Sequence, residues 1–248
     1  MPAYPLRVLV LRRTKLGEAD LILTLLASDG HQVRAVAKGA RKPGGRFGAR
    51  VEPFTVLDVL LHTGRSLEVV SEARTVATHE AVRADYDRTT AASAVAGLLE
   101  RISVEGQVEP QLFDMSLATL DAMETSPVSA MRPLVLAFVL KALAMHGVRP
   151  ALGECAACAG VADPAYAISP AAGGVLCERC AREDEGSLPI SVEAHAALRA
   201  LMRAKMSDVA GLDIPERVQR EVTMLLRAYL AFHVPGRIRA LDFFAAGR

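Results

Sequence analysis

Residues 21–38, LILTLLASDGHQVRAVAK, hold the pattern from which the N-terminal architecture can be read. A dense apolar run from Leu21 to Leu26 leads into Asp29-Gly30, a dipeptide that turns the chain. Beyond it, Val33, Ala35 and Ala37 alternate with Arg34, Val36 and Lys38, the period of two expected of a strand with one covered face. On the N-terminal side lies a second dense run of Val and Leu over residues 6–11. On the C-terminal side, residues 54–61 and 66–70 read as two more strands, joined through His62-Thr63-Gly64-Arg65. Five short strands with tight turns describe a small barrel. The oligonucleotide-binding (OB) fold is the smallest common five-stranded version, and an SH3-like barrel has a similar strand count, so the strand pattern leaves both open.

From Asp85 the texture becomes helical. Residues 89–102, 110–123 and 128–145 carry Ala and Leu at helical spacing, with Pro110 suited to a first turn and His146-Gly147 to a stop. Ser191-Val192-Glu193 starts a further helix reaching Met206, and Pro215 another reaching about His233. Val234-Pro235-Gly236 then breaks the pattern before a short tail over residues 237–244. The longest apolar stretch, residues 133–145, is interrupted by Lys141 and reads as too short to cross a bilayer, so a soluble protein is expected. At 248 residues, 51% apolar but only 4% aromatic and without tryptophan, the chain can fill its core mainly with Ala, Val and Leu. The expected class is α+β multidomain. A five-stranded OB-like barrel occupies residues 1–80 and a helical domain residues 81–248, with a metal module inserted at 151–185.

That module is defined by the four cysteines of the chain, Cys155 and Cys158 with Cys177 and Cys180, two pairs of identical spacing. Two intervening residues let both thiolates of a pair reach one ion, and a hairpin returns the second pair: residues 166–169 out, 170–174 turning, 175–176 back. Four thiolates around one Zn²⁺ leave no open position, so the site is structural and hydrolytic chemistry is not expected of it. Disulfides or a redox dithiol fit less well. No apolar signal segment follows Met1-Pro2-Ala3-Tyr4-Pro5, so a cytoplasmic chain is expected, and a redox motif needs only one pair.

Charge is distributed unevenly. Residues 1–50 contain ten Lys or Arg against three acids, a net +7, whereas the whole chain carries +1 and the remainder therefore −6. A polyanionic partner for the N-terminal end follows. The cations concentrate between the third and fourth strands, where Lys38, Arg41, Lys42, Arg46 and Arg50 share thirteen residues with four glycines. Such a loop can lie close to a phosphate backbone. Phe47 within it could stack on a base but is better suited to packing against the barrel. With Arg12, Arg13 and Arg34 on the strands, these residues form the expected nucleic-acid-binding set. Arg179 and Arg182, beside Cys180, are excluded because Glu178, Glu183, Asp184 and Glu185 surround them.

Enzyme signatures are missing: there is no P-loop, no His-Glu-x-x-His and no Gly-x-Ser-x-Gly, and His79-Glu80 has no second histidine at helical spacing. A zinc deaminase would need an upstream His-x-Glu, which is also missing. His31, His62, His146, His195 and His233 are scattered, as surface or satisfied core residues are. No enzymatic activity is expected. A zinc-ribbon protein adaptor without direct DNA activity is the alternative class.

The order of parts resembles the RecO family of bacterial recombination mediators. The resemblance rests on Ala37-Lys38-Gly39-Ala40-Arg41-Lys42 leading to Arg46-Phe47, on Glu52-Pro53-Phe54, on the helical middle and on the repeated Cys-x-x-Cys. It spans nearly the whole chain. It implies an OB fold, a helical domain and a zinc module, together with binding of single- and double-stranded DNA and annealing of complementary strands. Partnership with RecR and single-strand binding protein in loading recombinase is implied likewise.

Overall fold

The computed structural model describes residues 3–45, 47–104 and 106–246. The chain divides into two compact units, Met1–Leu120 and Asp121–Arg248.

In the first unit, β1 (Ala3–Leu16), β2 (Asp20–Ala27), β3 (Gln32–Ala37), β4 (Val56–His62) and β5 (Glu68–Ala77) close a barrel in the order β1-β2-β3-β5-β4. Every neighbouring pair is antiparallel except β3 with β5, which run parallel from Ala35 opposite Glu68. This strand order is the OB arrangement and resolves the choice left open by strand count. A register shift between Val10 and Arg12 bends β1, letting one 14-residue strand pair with both β2 and β4. The interior is filled by alternate residues: Val8 and Val10 on β1, Leu21, Leu23 and Leu25 on β2, and Val33, Ala35 and Ala37 on β3. The small residues of β3 leave room for side chains from the following loop, and Ala40, Phe47 and Val51 join the same core. Phe47 is therefore a barrel residue, as its sequence context suggested.

Two clusters outside the barrel core position its surface. The first lies on the outer face, where Arg7, Asp58 and Arg74 stand side by side across β1, β4 and β5. Arg7 Nε donates to Asp58 Oδ1 at 2.8 Å and Arg74 Nη2 to Oδ2 at 2.7 Å. The bonds from Arg7 and then Arg74 hold the Asp58 carboxyl at about 2, below its ordinary 3.8. A depressed carboxyl stabilises the fold above its unfolded value and loses that contribution as pH falls through the folded one. Asp58→Asn should therefore lower the melting temperature at neutral pH, with the difference from wild type closing between about pH 4 and pH 2. Thermal unfolding across that range checks it, and a difference independent of pH would contradict it.

The second cluster joins the β2–β3 turn to the helices that follow. After α1 (Glu80–Ala84), capped at His79, whose Nδ1 is hydrogen-bonded to the Phe54 carbonyl at 2.7 Å, comes α2 (Tyr86–Ile102). Asp85 caps α2 by accepting from Arg88 N. Gln32 Nε2 donates to the carbonyls of Glu100 and Ser103 at 3.2 Å, and Glu109 N donates to Asp29 O at 2.7 Å. Gly30 permits this approach. Its φ is +90°, and a Cβ there would lie 2.0 Å from the Glu109 carbonyl oxygen. Leu9, Thr24 and Leu26, outward by strand alternation, are buried, as is Leu11 at the register shift of β1. Next comes α3 (Pro110–Thr125).

In the second unit, α4 (Met131–Met145), α6 (Val192–Arg203) and α7 (Glu216–His233) pack together through Leu134, Phe138, Leu198, Leu201, Val222, Leu225 and Tyr229. With the preceding turn, α4 makes an 18-residue apolar helix, Val128–Met145, over the bounds its spacing suggested and longer than the apolar run 133–145 alone. Its length and hydropathy would allow it to cross a membrane, yet 67% of that window is buried inside the protein, as in a core helix. Lys141 fits there because its Nζ donates to the Met202 carbonyl at 2.7 Å. Between α4 and α6 lie β6 (Ala167–Ser169), β7 (Gly174–Leu176), α5 (Glu178–Glu183) and β8 (Leu188–Pro189), the strands forming a small sheet in the order β7-β6-β8. The expected tail is instead helical, α8 (Arg239–Ala246).

Candidate nucleic-acid interface and metal centre

The four cysteines meet where two turns face each other. In the first, Ala159 N donates to Cys155 O and Cys155 N to Gly160 O, both at 2.8 Å, with Ala159 at a φ of 55° closing the turn. Ala156 N donates to Val175 O at 2.8 Å and ties this turn to β7, whose end delivers Cys177 as the N-cap of α5. Cys180 lies one turn along that helix. Gly174 supports the arrangement, because a Cβ there would lie 2.4 Å from the Ala151 carbonyl oxygen, which accepts from Val175 N.

All four Sγ atoms lie within 4.8 Å of one another, and Cys158 and Cys177 are 3.9 Å apart. A tetrahedral ion with Zn–S bonds of about 2.3 Å spaces its sulfurs about 3.8 Å apart, so the set fits such an ion. Burial pushes the Cys155 thiol up, but backbone N–H groups of Cys177, Cys158 and Ala157 outweigh it and bring it to about 6. Cys180 is driven up to about 12, first by its hydrogen bond with Cys158 and then by that with Cys177. Four thiolates this close would repel one another, and a divalent cation would relieve the conflict.

The eight cations expected to meet DNA are not equivalent. Arg12 is engaged with Glu100 of α2, its Nε 2.8 Å from Oε2; burial raises the Glu100 carboxyl, and Arg12 opposes that rise. Arg13 grips Glu52 with both terminal nitrogens, at 2.7 and 2.5 Å. These two pairings join residues far apart in sequence, which composition does not reveal. Arg41 is exposed, its backbone N–H donating to Ala19 O at 2.9 Å and its Nη1 to Gly17 O at 3.1 Å. The loop is thus seated on the β1–β2 turn. Asp20 Oδ1 accepts from Gly39 N at 2.8 Å, and Gly45, where a Cβ would meet the Gly39 carbonyl oxygen at 2.4 Å, lets the loop fold back on itself. Arg34, Lys38 and Lys42 are exposed, with no carboxylate partner among the described residues. Arg50 is exposed on the helical turn Gly48–Val51, and Arg46 falls outside the described residues.

Arg34 on β3, followed by Lys38, Arg41 and Lys42 in the loop leaving that strand, places a group of cations along and beyond the end of β3. Lys15, at the end of β1, is also exposed and was missed by the sequence reading, since only its pairing with Leu21 brings it beside this loop. An OB barrel with an exposed basic edge, in a chain that also gathers four cysteines able to hold a metal ion, is the architecture of an OB-fold protein with a candidate metal module.

Known proteins narrow the class. Residues 1–79 match the family model described as "Recombination protein O N terminal", and residues 83–242 the one described as "Recombination protein O C terminal". The chain is 39% identical over 249 aligned positions to a protein of Frankia casuarinae, covering 98% of both. It is 39% identical over 246 positions to one of Thermobifida fusca, covering 97% of this chain and 98% of the relative. A protein of Bifidobacterium longum is 43% identical over 180 positions, 72% of this chain and 74% of the relative. Each of these carries the name "DNA repair protein RecO". The chain belongs to the RecO family of DNA repair proteins.

Proposed function

We propose that this protein is a mediator of DNA repair and homologous recombination that works without covalent chemistry. Its barrel domain, residues 1–80, binds single- and double-stranded DNA through Arg12, Arg13, Arg34, Lys38, Arg41, Lys42, Arg46 and Arg50, with Arg12 and Arg13 also anchored to carboxylates. Phosphates of two strands neutralised on one surface repel each other less, and complementary strands pair faster. With RecR, the protein helps load recombinase onto DNA coated with single-strand binding protein. It acts in the cytoplasm, at the nucleoid during repair. The helical domain, residues 81–248, carries the metal module at 151–185. One Zn²⁺ held by Cys155, Cys158, Cys177 and Cys180 would supply a closed structural crosslink there.

The observation that carries this reading is the exposed group Arg34, Lys38 and Lys42, with no carboxylate partner among the described residues, at one end of an OB barrel. Annealing of complementary oligonucleotides, bare and coated with single-strand binding protein, tests it with and without RecR. The protein should accelerate annealing of both substrates, and Arg41→Ala/Lys42→Ala should slow it. DNA binding without faster annealing would leave a passive binder, and no DNA binding would leave a zinc-ribbon adaptor. Either result contradicts the proposal.

A further inference from the structure

The outer surface of the barrel carries a row of side chains that the cations only border. The strand registers place Thr14 of β1 opposite Ile22 of β2, Ile22 opposite Val36 of β3, Val36 opposite Val69 of β5, and Val69 opposite His62 of β4. Each belongs to the outward set of its strand, because the neighbours Leu21 and Leu23, Ala35 and Ala37, Val70 and Leu61 fill the interior. Thr14 is exposed and the other four are half-buried, so the row is open to solvent. Its middle is three consecutive branched apolar side chains and its end an imidazole. At about 4.8 Å between strands, four intervals span about 19 Å along the curved surface.

The neighbouring rows differ. On one side Arg12, Thr24 and Arg34 stand in register, with Thr24 buried and Arg12 committed to Glu100. On the other, β3 continues into Lys38 and the folded loop bearing Arg41 and Lys42, seated on Gly17 and Ala19 beside the exposed Leu16. The apolar row therefore runs between Arg34 on one border and Lys38, Arg41 and Lys42 on the other. Across the barrel, the outer row Arg7–Asp58–Arg74 is charged and satisfied within itself.

We propose that Ile22, Val36 and Val69, with His62 at the end, form a base platform for single-stranded DNA, an inference that rests on the DNA-binding reading above. Bases of an unpaired strand lie face-down on the row while its phosphates meet the bordering cations. Phe47, the aromatic residue of the basic loop, is buried in the barrel core, so the surface offers bases branched aliphatic contact in place of a large ring. A duplex keeps its bases stacked inside and presents only phosphates, so it engages the cations and bypasses the row. The platform thus supplies a preference for unpaired strands that cations alone do not provide.

The test compares two variants and two probes by fluorescence anisotropy. Ile22→Thr/Val36→Thr/Val69→Thr keeps β-branched side chains at solvent-facing strand positions, so the barrel should persist, as circular dichroism and thermal unfolding will show. It should bind single-stranded DNA about fivefold more weakly, with duplex affinity and the salt dependence of both unchanged. Arg34→Ala/Lys42→Ala should weaken both forms of DNA. Independently of any variant, the wild-type protein should bind a single strand of abasic residues about tenfold more weakly than the same length bearing bases. Equal wild-type affinity for abasic and base-bearing strands, or equal losses on single strand and duplex in the threonine variant, would overturn the platform while leaving DNA binding intact. Absence of binding to every probe would remove the platform together with the function on which it rests.

Discussion

Cys180→Ser is expected to strip the metal from the protein and destabilise the second unit by on the order of 5 kcal/mol. The four sulfurs lie within 4.8 Å of one another, and Cys180 is buried. A serine hydroxyl at that position neither matches the softness of a thiolate nor ionises near neutral pH, so the remaining three ligands hold zinc weakly. The regular structure around the cysteines is short. The sheet β7-β6-β8 consists of strands of three, three and two residues, and α5 has six, too few for independent stability. A bound metal would therefore add a crosslink to the buried Ile168, Val175 and Leu176 in ordering residues 151–185. Elemental mass spectrometry should find one zinc per chain in the wild type and almost none in the variant. Wild-type protein treated with a chelator should show the same fall in melting temperature. A variant that kept its metal, or that lost it without a change in unfolding, would refute the structural role.

The second large effect concerns DNA. Arg34→Ala/Lys38→Ala/Lys42→Ala removes three exposed cations without carboxylate partners among the described residues. Because none of the three is tied to a carboxylate, each is available to phosphate without first breaking an ion pair. Arg12 and Arg13, by contrast, would have to share or release Glu100 and Glu52. Loss of about 1 kcal/mol per contact gives a loss of affinity on the order of a hundredfold, roughly equal for all base sequences. Stability should change little, since exposed side chains without partners contribute little to the fold.

How far the sequence foretold these features depends on whether the relevant signal was local. The alternation Val33, Ala35, Ala37 against Arg34, Val36, Lys38 foreshadowed which side of β3 faces the core, and the paired cysteines anticipated the sulfur cluster. Both depend on neighbours a few residues apart. The extension of β5 to Ala77, beyond the expected end at Val70, was not legible, because Ser71-Glu72-Ala73-Arg74 looks polar until β4 is set beside it. The carboxylate partners of Arg12 and Arg13 lie 88 and 39 residues away, so counting charges could not distinguish these arginines from Arg34. The apolar row was hidden for the same reason. Ile22, Val36 and Val69 each look like an ordinary strand residue, and only the register of three strands lines them up. Short helices such as α1 and α5 escaped notice because five or six residues carry too little periodicity.

The decisive measurement is the affinity of the full-length protein for a single-stranded oligonucleotide as a function of salt, compared with that of the Arg34→Ala/Lys38→Ala/Lys42→Ala variant. If about five cations meet phosphate, log affinity should fall against log salt with a slope near −3.5, and the variant's slope should be shallower by about 2. A wild-type slope near zero, or a variant with unchanged slope and affinity, would contradict the assignment of this barrel edge as the DNA-binding surface.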